Sequence, residues 1–555
     1  MPDVDRMLEK CGDFGRYQFF LLTLFAVVNV LTSWHYYSQT IISVVPDHWC
    51  STEATQNLSI VELREVFSTY DDPFCSRMVN EEFFPNIWME TTSERRRQCE
   101  HWIYDLDFGY QSMTSDLNWV CESAWKSTLG QSMYFIGSVV GTLIFGILAD
   151  KIGRLPILVL ANCAALLGNG ATIFSTSVPT FCICRFISGL ATDSNFVMMY
   201  ILVMEYIRPS MRTFGLNICI GIFYCLGSMV TPWIAVAVGN WKVFLMVTSL
   251  PIAIIPGFYF ILPESVHWLI SKGDVEGAIN CFRRVAAFNR RHLDEQTIRE
   301  FRNENTSESN GCQKKSQANL FDLFKTPRLR RNTFILFFKS MVITLCYDSI
   351  SRNVEGLGLS PFILFSLSAT AIFPACLVLW ALQDKIGRKA MASSSLLVSG
   401  IFTTCTGIVL AYQRGAATMS ATLLATLAVI GRFGVTVAYN SSAQYATELI
   451  PTCVRAQGVS AVHVAGYAVT FFSTFILYLG HYCKALPALI LGGLSLAGAV
   501  LCLFLPETLN RTIPATIEEG ERFGMGERVL HFSCFEKSLE KSTSDNTSTV
   551  TTLDT

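Results

Sequence analysis

The sequence predicts an all-α polytopic membrane protein with about twelve transmembrane helices in two six-helix halves. Three observations carry that prediction. The composition is apolar: 51% of the 555 residues are hydrophobic, 40 are Phe, and only 15% are charged, against roughly a quarter charged in a soluble chain. Long stretches hold no Asp, Glu, Lys or Arg at all. A set of charged motifs also occurs twice, in the same order.

The uncharged runs are 17–46, 127–149, 155–184, 213–241, 243–263, 356–383, 390–413, 456–483 and 485–506. Three more are broken by single charges: 186–204 by Asp193, 333–351 by Lys339 and Asp348, and 415–447 by Arg432. A helix needs about 20 apolar residues to cross the hydrocarbon core, so each run reads as one span. The start, MPDVDRMLEK, has no basic region followed by an apolar core and a cleavage site. The first span is therefore expected to be kept as an anchor.

Loop chemistry sets the expected topology. The loop 47–126 carries fifteen Asp/Glu and six Lys/Arg, and the loop 264–332 nine and thirteen. The short loops with Lys151, Arg154, Arg208, Arg212, Lys385, Arg388, Lys389 and Arg455 fall on one side if both termini are cytoplasmic. The expected layout is a cytoplasmic N-terminus (1–16), a first half (17–263) with 47–126 extracellular, a cytoplasmic linker (264–332), a second half (333–506) and a cytoplasmic Ser/Thr-rich tail (507–555), disordered from 521. Four cysteines, Cys50, Cys75, Cys99 and Cys121, lie in the external loop, where disulfides persist. They allow three pairings. Asn57-Leu58-Ser59 is a glycosylation acceptor in the same loop. Cys182 and Cys184 lie in a span and read as packing residues rather than metal ligands.

The repeat is the most specific signal. "DKIGR" occurs at 150–154 and again at 384–388. Arg185-Phe186 pairs with Arg432-Phe433, "EYIRPSMRTFG" (205–215) with "ELIPTCVRAQG" (448–458), and "LPES" (262–265) with "LPET" (505–508). The chain is a six-span unit duplicated in parallel. Gly153 and Gly387 permit a tight turn in each copy. Asp150, Arg154, Glu205, Arg212 and Glu264, with Asp384, Arg388, Glu448, Arg455 and Glu507, are expected to form one cytoplasmic charge network. That network would close when the site faces outward and break when the halves rock open.

Two such halves, with the site between them near the midplane, resemble the major facilitator transporters. Further motifs narrow the resemblance: "CGDFGRYQ" (11–18), "CEHWIYDLDFGYQSMTSDLNWVCE" (99–122), "RFISGL" (185–190), "LPESVHWLISKG" (262–273), "ELIPTCVRAQG" and "LFLPETLN" (503–510). Nearly the whole chain up to about residue 520 resembles solute carrier family 22, the organic cation, anion and zwitterion transporters. Sugar porters share the "PES", "PET" and "GR" elements but lack the long cysteine-bearing loop.

Ionisable residues inside a membrane are costly and mark function by default. Lys339 is placed near the cytoplasmic end of its span, able to snorkel. Asp348 is placed near the outer end, facing water. Asp193 and His463 lie deeper. The resemblance implies that cation-carrying relatives hold Asp, and many anion-carrying ones Arg, twelve residues after the arginine of the last motif. Here that position is Tyr467, a neutral ring able to hold a cation over its face or donate to a carboxylate. Trp34, Tyr37, Phe223, Tyr224, Tyr347, Tyr439, Asn440 and Gln444 are candidate companions. The expected function is plasma-membrane transport of small organic cations or zwitterions, carnitine-like or amino-acid-derived amines. An organic anion exchanger using Lys339 and Arg432 is the alternative, and a non-transporting sensor a third reading. Expected partners are the small-molecule substrate and the bilayer. With no nucleophile–base pairing, P-loop, metal-ligand spacing or basic stripe, no enzyme activity, cofactor, metal or nucleic acid is expected. Proton coupling through Asp193, Asp348 or His463 stays open.

Overall fold

The computed structural model describes residues 4–12, 15–51, 55, 58–67, 75–78, 96–99, 101–207, 219–311, 320–353, 359–412, 421–509, 511, 514 and 516–527. Asn57 and Arg212 lie outside them. Among the described residues, eleven helices are long and apolar enough to cross a membrane, and a shorter apolar helix completes the set. In chain order they are α1 (Arg16–Ile42), α2 (Cys121–Ile152), α3 (Arg154–Ile173), α4 (Val178–Tyr206), α5 (Ile220–Val238), α6 (Trp241–Ile261), α7 (Pro327–Arg352), α8 (Pro361–Ile386), α9 (Arg388–Tyr412), α10 (Ala421–Leu449), α11 (Gln457–His481) and α12 (Leu486–Cys502). Prolines open α7 and α8 at the first helical position, where no backbone donor is lost.

Gly153 and Gly387 make the α2–α3 and α8–α9 turns at φ +108° and +102°. The end of the bundle that carries them is called the turn face here. The opposite end, which bears the long cysteine loop, is the loop face. Helices α4, α8 and α11 are not continuous: they break after Gly189, Ala369 and Ala468 and resume at Thr192, Ile372 and Phe471.

Close approach of backbones builds the first half. A Cβ on Gly137 or Gly141 of α2 would strike the carbonyls of Phe186 or Leu190 on α4, and one on Gly189 would strike the carbonyl of Tyr134. Small residues give this intimacy where lipid offers no hydrophobic drive between helices.

On the loop face, Asp47–Cys50 pairs antiparallel with Trp102–Asp105. The disulfides are Cys50–Cys99 and Cys75–Cys121, one of the three pairings the sequence left open. The turn Asp107–Gly109 crosses to the other half: Phe108 lies against Trp233 and Phe362, and Tyr110 sits 5.4 Å from Phe362.

On the turn face, the helix Val4–Gly12 packs on the linker helix Val275–Phe288. The Asn289 side chain joins them, donating to the Cys11 carbonyl and accepting from the Tyr17 N–H. The tail corrects an expectation, because residues 521–527 are folded onto the second half. Glu521 caps α7 by accepting from the Arg328 and Leu329 N–H groups. The buried Glu527 pairs with Arg511 at 3.0 Å and Lys389 at 3.7 Å.

The packing makes a testable contrast. Gly141→Leu should lower the melting temperature of the purified protein or abolish its assembly, at a cost above about 3 kcal/mol. Gly146→Leu, on the same helix where a Cβ meets nothing within 4 Å, should melt like the parent.

Candidate functional site between the halves

The duplicated motif builds the same device twice. Gly153 has no Cβ, and one placed there would collide with Glu264. Glu264 accepts from the N–H groups of Arg154 and Leu155 and so caps α3. In the second half, a Cβ on Gly387 would collide with Glu507, which caps α9 through the N–H groups of Arg388 and Lys389. A carboxylate at a helix N-terminus meets unpaired donors and the positive end of the dipole. Asp150 and Asp384 do not take that role. Each pairs with the arginine four residues on, at 3.1 and 3.0 Å, while 77% and 75% exposed. Ser265 donates to Glu205, as Thr508 donates to Glu448. Arg388 also pairs with Glu448 at 3.0 Å. Arg455 donates to the Ile450 carbonyl. Among the described residues these contacts form two separate clusters, one within each half.

Contacts that join the halves lie toward the loop face. Tyr36 of α1 and Ser473 of α11 both donate to the Asp348 carboxylate. Asp348 pairs with Arg352 at 3.0 Å, and both side chains are 1% exposed. The Arg352 guanidinium lies 4.2 Å from the centre of the Phe135 ring of α2. Ser132 bonds Thr474, Ser366 donates to the Met229 carbonyl, and Arg432 donates to the Tyr37 hydroxyl at 2.8 Å.

Deeper in, a polar aromatic chain crosses the interface. Arg432 lies 5.0 Å from the Tyr347 ring, and Tyr347 stacks on Tyr439 at 4.5 Å. The Tyr439 and Tyr467 hydroxyls are 2.9 Å apart. Tyr467 in turn lies beside Asp193, which accepts from Ser138 of α2. Asp193 stands one residue past the interruption of α4 and is half-buried. Among the described residues it has no ion-pair partner.

Tyr467, Tyr439, Tyr347 and Asp193 are thus brought together, and Tyr224 stands beside them with its ring 6.2 Å from Tyr37. Asn440 contacts Cys376, and His463 is exposed one turn below Tyr467. Gln444 belongs to the turn-face cluster, bonded to Gln383 and Glu448. Trp34 packs on the core of the first half, and Phe223 is 37% exposed. Two expectations are overturned. Asp348 does not face water; it is sealed by Arg352, Tyr36 and Ser473. Lys339 does not snorkel, because α7 begins at Pro327 and places it mid-helix, fully buried, with its ammonium 4.4 Å from the centre of the Tyr445 ring. Arg352, Tyr36 and Phe135 escaped the sequence reading, although the i,i+4 spacing of Asp348 and Arg352 was there to be used.

The family described as "Sugar (and other) transporter" matches residues 77–518. The chain belongs to that family. An organic cation transporter-like protein of Drosophila melanogaster is 27% identical over 540 residues, covering 94% of this chain and 93% of its own. Organic cation transporter 1 of Caenorhabditis elegans is 28% identical over 541 residues, at 94% and 89% coverage. Human organic cation/carnitine transporter 2 is 27% identical over 539 residues, covering 94% of each. Among solved structures, the inward-open xylose transporter XylE of E. coli matches with a TM-score of 0.57 at 16% identity, over 90% of this chain and 99% of its own. That likeness establishes the major facilitator fold. The protein is a multi-pass membrane transporter of small molecules, not an enzyme.

In this family member the Asp348–Arg352 pair carries a measurable load. Removing one partner of a buried pair strands the other, at about 3–5 kcal/mol. Asp348→Asn should therefore lower the thermal midpoint markedly in detergent, and adding Arg352→Met should restore much of the loss. An unchanged midpoint in Asp348→Asn would show the pair to be solvated.

Proposed function

We propose that this transporter carries small organic cations, including zwitterions with an ammonium group, across the plasma membrane by alternating access. One observation carries the reading. Asp193 is an acid at the junction of the halves, held by hydroxyls and faced by tyrosine rings, with no cation among the described residues to neutralise it. Such a site lacks what a substrate ammonium supplies. Tyr467, where cation-carrying relatives are expected to hold an acid, touches Asp193 instead, so the acid reaches the same place from α4. The names of the organic cation relatives agree with this reading. An anion exchanger is less well supported: Lys339 is enclosed in the second half, and Arg432 is engaged with Tyr37 and Tyr347.

The closed loop face and the separate turn-face clusters fit a state whose site opens to the turn face, which the basic loops place in the cytoplasm. The exposed Asp150 and Asp384 carboxylates are then free to meet the opposite half when that face closes.

Uptake of labelled tetraethylammonium and of a carnitine-like zwitterion into cells tests the site. Asp193→Asn should weaken both by about 2 kcal/mol or more, roughly thirtyfold in affinity. Tyr467→Phe should cost about fivefold. Wild-type uptake in Asp193→Asn at normal surface level would refute the reading. For the gate, Asp150→Asn and Asp384→Asn should each slow turnover about two- to fivefold, with unchanged surface expression. Full-speed transport in both and in the double variant would leave these aspartates a topological role only.

A further inference from the structure

We propose that Asp193 makes this protein an exchanger, moving one proton outward on the return of the empty carrier for each monovalent organic cation it carries in. The inference rests on the cation reading above and adds the coupling ion to it. The surroundings of Asp193 are specific. From α2 it faces Ser138 and Tyr134, from α11 Tyr467, and from α10 Tyr439. From α7 it faces Asp348, a like charge whose own cation, Arg352, is already bound to it. From α1 comes Tyr36, which donates to Asp348. The nearest cation on its own helix is Arg185, eight residues earlier and about 12 Å along the axis. Arg185 donates to Thr172, Gln39 and Asn169 rather than to an acid.

Alternating access requires the site to pass through a state closed at both faces. With an ammonium bound, Asp193 makes that passage as a neutral pair. Without it, a bare carboxylate would be enclosed beside a second acid, with hydroxyls alone to stabilise it. The cost of an unpaired buried charge is high enough that the group takes up a proton instead. The empty carrier therefore returns with Asp193 protonated. On reaching the loading side the carboxyl O–H bond breaks, its proton passes to water, and the carboxylate pairs with the incoming ammonium. One positive charge crosses in each direction. The cycle is electroneutral, and protons compete with substrate on the loading side.

The full chain in proteoliposomes loaded with a pH-sensitive dye tests this with tetraethylammonium as the probe. A lumen one pH unit more acidic than the bath should concentrate the probe about tenfold and alkalinise the lumen as it enters. A potassium diffusion potential imposed at equal pH should leave probe uptake unchanged. Asp193→Glu should keep exchange with a displaced pH profile, whereas Asp193→Asn should show no probe-dependent proton movement. Probe uptake driven by an inside-negative potential, with the dye silent, would overturn the exchange while the cation reading stood. Failure of the wild type to move or bind tetraethylammonium or a carnitine-like zwitterion under either gradient would overturn both.

Discussion

A charge in hydrocarbon must find its partner inside the protein, and that constraint orders every ionisable group in this bundle. Asp348 and Arg352 satisfy each other and are sealed by a tyrosine, a serine and an aromatic face from the opposite half. Arg185 has no acid partner among the described residues and is solvated by two amides and a threonine. Lys339 has only the Tyr445 ring, with no hydrogen-bond acceptor among the described residues. These four charges are thereby committed to structure. Asp193 is the one that is not.

The same constraint explains the symmetry of the turn face. A helix that starts at a membrane boundary presents four unpaired N–H groups. In both halves a glutamate after the sixth span of the unit reaches back to the start of the third, and the intervening glycine has no side chain to obstruct it. The arginine that follows the glycine then holds the aspartate of the preceding turn. The pentapeptide is thus one mechanical part, a strained turn with its cap supplied from elsewhere, kept twice because the unit is used twice.

Much of this was legible in the chain. The uncharged runs located the helices, because a continuous apolar stretch has few other uses. The repeated motifs gave the two halves. What failed were readings that needed a helix boundary or a partner. Ending the seventh run at Ser351 cut Arg352 away from Asp348, and starting it at Thr333 misjudged the depth of Lys339. Six earlier residues, Pro327–Asn332, are helical despite three arginines, because a proline opens the helix and Glu521 caps it. The contact of Tyr467 with Asp193 joins residues 274 positions apart, which no local pattern encodes. The start of the tail looked unstructured because its anchors, Glu521 and Glu527, act singly rather than as a periodic face.

The strap formed by Glu507, Glu521 and Glu527 has a consequence for biogenesis. Synthesis is directional, and domains fold as they emerge. The first half obtains its cap, Glu264, well before its partner is translated. The second half depends on Glu521 and Glu507, which follow its last span, for the caps of α7 and α9, and on Glu527 for the counter-charge of Lys389. Its helices are therefore in the bilayer before their ends are secured, and they stay unfinished until the segment after α12 has been made. A chain cut just after α12 would carry every span yet lack the caps of α7 and α9.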